Sequence, residues 1–116
     1  MEPDEYSFDL LCDSVNAYDN IIPIKKGVSD RDGKVGFDFQ KGSGSTIINT
    51  VADSDIDSQS TIYVSSLDSL MDEYGDICAV TMDIEVNELS ALNGAMNTYK
   101  KCRPTFAVRV YHKKMI

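Results

Sequence analysis

The 116-residue chain has no tryptophan, one histidine, three cysteines and three prolines. Each scarcity removes a class of chemistry or a class of fold. Cys12, Cys78 and Cys102 are too far apart for the CxxC knuckle that zinc sites and dithiol redox motifs need. An odd cysteine count, with an acidic N-terminus where a signal peptide is basic and then apolar, implies free thiols in the cytoplasm. If the source is viral, the expectation becomes the host cytoplasm or the virion. No apolar run approaches the roughly 18–20 residues of a membrane span. N-x-[ST] is absent: Asn49-Thr50-Val51 and Asn97-Thr98-Tyr99 both fail at the third position. No internal repeat or low-complexity tract divides the chain, and its length is that of one domain spanning 1–116.

Basic residues are also missing where an average chain would have them. Positions 42–99 hold ten acids and no Lys or Arg, whereas 100–116 hold six bases and no acid. Positions 1–24 hold six acids and no base, and 25–41 hold five bases and three acids. The net charge of −8 disfavours nucleic acid and anionic membrane as partners. The simplest reading of this layout is that the basic C-terminal stretch neutralises acidic strands within one molecule. A second is charge-complementary association with a protein partner or with another copy. That reading assigns partner binding to Lys100, Lys101, Arg103, Arg109, Lys113 and Lys114 on one side and Asp53, Asp55 and Asp57 on the other. A third takes the basic cluster as a phosphate patch, which the acidic remainder opposes.

What is present is 42% hydrophobic sequence with clear periodicity. Residues 21–28, 34–40, 45–52 and 60–66 read as short strands between turn formers, a meander of antiparallel strands. Leu67–Tyr74 reads as a helix capped by Ser66 and stopped by Gly75. Residues 77–86 alternate, with Cys78, Val80, Met82, Ile84 and Val86 on the core face. Asn87 is the expected N-cap of a helix over 87–101 whose inward face carries Leu89, Leu92, Met96 and Tyr99. Tyr74 and Tyr99 are expected in the core. Small residues at Ser90, Ala91, Gly94 and Ala95 suit a close approach to a sheet, unless Asn93 breaks the helix. Arg103-Pro104 ends it, and residues 105–111 close the fold with Phe106, Val108 and Val110 inward. Residues 1–20 fit a helix or an arm, with helix favoured by Phe8, Leu11, Val15 and Tyr18, and residues 112–116 form a basic tail. The expected fold class is α+β: a single, mostly antiparallel sheet of five to six strands with two or three helices packed on one face.

Several constellations resemble reactive sites. Asp53-Ser54-Asp55-Ile56-Asp57 starts like a calcium loop but has Ser58 and Val64 where Gly and Glu are required. Lys41-Gly42-Ser43-Gly44-Ser45-Thr46 lacks the phosphate-loop spacing and reads as a hairpin turn. Cys102 lies among bases that lower a thiol pKa, but at a helix C-terminus that raises it. Asp83 and Glu85 share a strand face about 7 Å apart, a separation that suits paired carboxyls and also any solvated strand. His112 would need a nucleophile brought to it from elsewhere.

No catalytic residue, metal or cofactor is therefore expected. The composition points first to a non-enzymatic protein–protein interaction or assembly module, such as an oligomeric structural or accessory protein of a virus or phage. The alternative is an acidic inhibitor or immunity-type protein that covers a basic partner site. The third reading is a small carboxylate- or thiol-based enzyme.

Overall fold

A computed structural model describes residues 1–38, 46–48, 61–84 and 87–109. The elements run α1 (Glu5–Val15), β1 (Gly27–Val28), β2 (Gly33–Asp38), β3 (Thr46–Ile48), β4 (Thr61–Ser65), α2 (Leu67–Tyr74), β5 (Ala79–Met82), α3 (Glu88–Asn93), α4 (Met96–Cys102) and β6 (Thr105–Val108). The class is α+β, but the single five- to six-stranded antiparallel sheet is not formed. One mixed sheet has the order β1-β4-β2-β3, and a separate pair joins β5 to β6. β2 is antiparallel to both β3 and β4, whereas β1 lies parallel to β4 and β5 parallel to β6. The physical reason is in the connections. β5 reaches β6 through two helical segments, a crossover that returns the chain in the same direction, where a hairpin would reverse it. Side-chain alternation is the same for either direction, so periodicity alone left the pairing open.

Local signals behave as their chemistry requires. Asp4 caps α1 by accepting from Ser7 N–H at 2.9 Å. Ser66 caps α2 by accepting from Ser69 N–H at 3.1 Å, and Gly75 ends it at φ 100° with its N–H on Met71. α4 stops at Arg103, whose left-handed φ of 46° directs its N–H to Tyr99 C=O at 3.0 Å. Pro104 follows, where no further helical N–H is available.

Two buried clusters hold these elements. Leu67, Leu70, Met82, Ala91 and Ala95 form one, with Ile24, Val28, Val80, Ile84, Phe106 and Val108 packed against it. Val35, Ile62 and Val64 form the other, inside the mixed sheet. Each fully buried Leu, Met or Val contributes roughly 1.5–3 kcal/mol relative to exposure. Three core assignments are corrected. Cys78, one residue before β5, is exposed. Tyr74, in the last turn of α2, is exposed. The apolar face of α3 and α4 (Leu89, Leu92, Met96 and Tyr99) also faces outward.

The buried face of α3 and α4 carries Ala91, Gly94, Ala95 and Thr98 instead. A Cβ on Gly94 would overlap the Ser29 carbonyl oxygen and lie 2.9 Å from Asp30 Cα. Only a glycine lets this helix approach the turn after β1 so closely. The same residue marks the break between α3 and α4, so tight packing and helix interruption coexist at one position.

Candidate functional site

The parallel-paired strands β1, β4 and β5 are followed by polar residues, Ser29, Ser66 and Asp83, and ligands of open parallel sheets bind outside such carboxyl ends. Two regions of the molecule have this position.

The first is the junction of β1, β4 and α3. Asp32 Oδ1 accepts from Ser65 Oγ at 3.0 Å and from Ser66 N–H at 2.9 Å. Ser66 Oγ donates to Ser69 Oγ at 3.1 Å. Ser29 N–H donates to Ser65 C=O at 3.1 Å. Asn87, expected to cap α3, instead sends Nδ2 to Val28 C=O at 2.8 Å and makes no side-chain cap. The Ser69 hydroxyl, then the Ser66 N–H, hold the Asp32 carboxyl below its usual range against the opposing effect of burial, with Ser65 and Lys26 assisting. No buried side-chain N or O among the described residues is left without a partner. These bonds tie the turn after β1 to β4 and α2, and Asn87 to the end of β1, so this cluster acts as a structural joint.

The second region is the carboxyl end of the β5–β6 pair. Asp83 follows β5 and Arg109 follows β6, and parallel pairing sets them side by side. The Arg109 N–H donates to Met82 C=O at 3.0 Å, extending the ladder by one residue. Its guanidinium stands 3.8 Å from the Asp83 carboxylate, with both side chains about half exposed or more. This loose, solvent-facing pair leaves the Asp83 carboxylate accessible for a further hydrogen bond. Asp83 was singled out from the sequence with Glu85, which lies outside the described residues; its pairing with Arg109 was not.

The remaining predicted site residues are scattered. Lys101 Nζ lies 3.1 Å from Asp76, which raises the lysine pKa through a hydrogen bond and charge attraction. Lys100 and Arg103 are exposed at the end of α4. Lys113, Lys114, His112, Asp53, Asp55, Asp57 and the 41–46 turn lie outside the described residues. Cys102 is half-buried with its thiol 3.5 Å from Met71 Sδ. Among the described residues no group of His, Cys, Asp or Glu could hold a metal ion. No helix among them is long and apolar enough to cross a membrane.

A family model, described as the methyltransferase FkbM domain, matches residues 1–115. No curated protein and no solved structure matches the chain. The match overturns the reading as a non-enzymatic assembly module of viral or phage type, and with it the inhibitor alternative and the expectation of no enzyme. The physical reason for that misreading is that methyl transfer relies on positioning two reactants. It needs no cysteine, histidine or metal motif, so the absence of such motifs did not argue against catalysis. From residue 1 to residue 115 the chain belongs to the methyltransferase FkbM domain family.

Proposed function

We propose that this chain works in enzymatic methyl transfer, with the carboxyl end of the β5–β6 pair facing the methyl acceptor. The family match over 1–115 carries the proposal. The accessible Asp83 carboxylate beside Arg109 supports the location. Methylation of a hydroxyl or amine releases a proton from the acceptor heteroatom, and Asp83 is suited to accept that O–H or N–H hydrogen bond and take the proton. Arg109 sits where it can orient the carboxylate or hold an anionic group of the acceptor.

The usual biological donor, S-adenosylmethionine, carries a nucleoside, and nucleoside-binding α/β folds hold theirs with a glycine-rich strand-to-helix turn. The described residues do not fit that group. β4 enters α2 through Ser65-Ser66-Leu67 without a glycine, and Asp32 and Ser66 occupy the N–H groups of Ser66 and Ser69 there. The turn after β1 leads into another strand. Free thiols at Cys12, Cys78 and Cys102 support a cytoplasmic setting.

The test is transfer of labelled methyl from S-adenosylmethionine to a panel of small hydroxyl and amine compounds. Transfer that falls about 100-fold or more in Asp83→Asn, with folding intact, is the expected result for loss of an acceptor-side base. Transfer unaffected by Asp83→Asn would overturn the location. No transfer to any acceptor by the folded chain would overturn the activity.

A further inference from the structure

The Asp83 side chain is held weakly. The Arg109 guanidinium stands 3.8 Å away, and an ion pair this loose and this exposed fixes a carboxylate poorly. The position of Asp83 is therefore set by the backbone on either side of it. On the near side, buried Met82 is locked into β5, where its C=O accepts from the Arg109 N–H at 3.0 Å. On the far side, Ile84 packs against the main core cluster and its C=O accepts from the Asn87 N–H at 3.2 Å. The far anchor is only as firm as Asn87.

Asn87 is buried and engaged through three groups. Its N–H closes the turn onto Ile84, and its C=O accepts from the N–H of fully buried Ala91 at 3.1 Å. Its Nδ2 donates to the Val28 C=O at 2.8 Å. Val28 is the last residue of β1, so this third bond crosses from the segment after β5 to the mixed sheet. Asparagine is among the best N-cap residues, yet Asn87 makes no side-chain cap on α3. Its carboxamide reaches across to β1 instead.

We propose that Asn87 is a positioning residue for Asp83: it ties the far end of the segment after β5 to β1, so that the carboxylate stays beside Arg109. This rests on the reading of Asp83 as the acceptor-side base. Position 87 then needs a donor, because the Val28 carbonyl can only accept. Asn87→Asp isolates that need. Aspartate matches asparagine in size and in capping ability, but its carboxylate has no hydrogen to give and would face a carbonyl oxygen. Misplacing a reacting group by about 1 Å lowers a rate by up to about a hundredfold, so a slack anchor should show in turnover.

Amide hydrogen exchange of the full chain, followed by NMR, reads the anchor without any turnover. In the wild type the Asn87 N–H should exchange at least about tenfold more slowly than an unstructured amide. In Asn87→Asp and Asn87→Ala the amide at position 87 should lose that protection, while Leu70 and Gly75 of the α2 region keep theirs. Protection retained in both variants overturns the proposal.

Methyl transfer reads the consequence. Asn87→Asp should lower kcat about tenfold or more with the KM for the acceptor little changed. The double variant Asp83→Asn/Asn87→Asp should be no slower than Asp83→Asn alone, because Asn87 acts through Asp83. Losses that multiply would show a structural role independent of Asp83 and overturn the proposal. Should Asn87→Asp fail to fold, Asn87→Ala serves in the same cycle. A wild type with a protected Asn87 amide and no methyl transfer overturns the reading of Asp83 as a base, and the positioning role with it. Transfer with an unprotected Asn87 amide overturns the positioning role alone.

Discussion

Asp68 of α2 caps α4 from a distance: its Oδ1 accepts from the Thr98 N–H at 2.7 Å and the Thr98 hydroxyl at 2.8 Å. Oδ2 accepts from the Asn97 N–H at 3.2 Å, and the Asp68 N–H donates to Gly94 C=O at 3.0 Å. The residue before α4 is Ala95, which has no side-chain acceptor. One carboxylate thirty positions upstream thus satisfies donors that a local cap would normally take. It also locks α2 to the break between α3 and α4.

Removing that carboxylate leaves buried donors unpaired. Thr98 is fully buried, so Asp68→Ala should cost about 2–3 kcal/mol, the range for orphaned hydrogen-bonding groups. Asp68→Asn retains the Oδ1 acceptor, and its cost should stay near 1 kcal/mol. Urea denaturation of the two variants measures the difference. Equal losses would mean that the charge, and not the acceptor geometry, holds the joint.

Gly94→Ala tests close packing against helix propensity. An alanine favours a helix by about 1 kcal/mol over glycine. Here its Cβ would meet the Ser29–Asp30 backbone and approach Ser66 Cβ at 3.1 Å. Backbone must move to admit it, so a net destabilisation of about 1–3 kcal/mol is expected. A thermal melt showing stabilisation would contradict the close approach.

Acid should loosen the joint around Asp32. Its carboxyl pKa is lowered in the fold, chiefly by hydrogen bonds from Ser69 and Ser66. A group lowered on folding stabilises the protein above its unfolded value, and that contribution is lost as pH falls through the folded one. The loss therefore belongs below about pH 4, the ordinary carboxylate range. Wild type and Asp32→Asn, compared by denaturation between pH 7 and pH 2, should differ most at the neutral end and converge at the acid end. Parallel curves would show that Asp32 is not a source of acid sensitivity.

Much of the local structure was written in short-range pattern. Ser66, Gly75 and the apolar spacing of Leu67, Leu70 and Met71 specify α2 because helix hydrogen bonds and caps span only three or four positions. The alternation of Val80, Met82 and Ile84 marked β5 because a strand turns alternate side chains to alternate faces. The pairing of Asp83 with Arg109 was not legible. Asp83 was one acid among nineteen until β5 and β6 paired and brought Arg109 beside it.

What the sequence determined by itself is the kind of element each stretch can form, with the bounds of α2, and which residues can be apolar neighbours along them. The strand over 21–28 shrank to Gly27–Val28, and the helix over 87–101 divided into α3 and α4. The tertiary structure decided which neighbours meet. Residues 87–102 offered two faces, a greasy one through Leu89, Leu92, Met96 and Tyr99 and a small one through Ala91, Gly94, Ala95 and Thr98. The small face was buried, because Asp68 and the Ser29–Asp30 turn demand backbone-to-backbone approach that large side chains would prevent. Strand direction was decided in the same way, by the path of the crossover through α3 and α4, since a period of two is identical for parallel and antiparallel pairs.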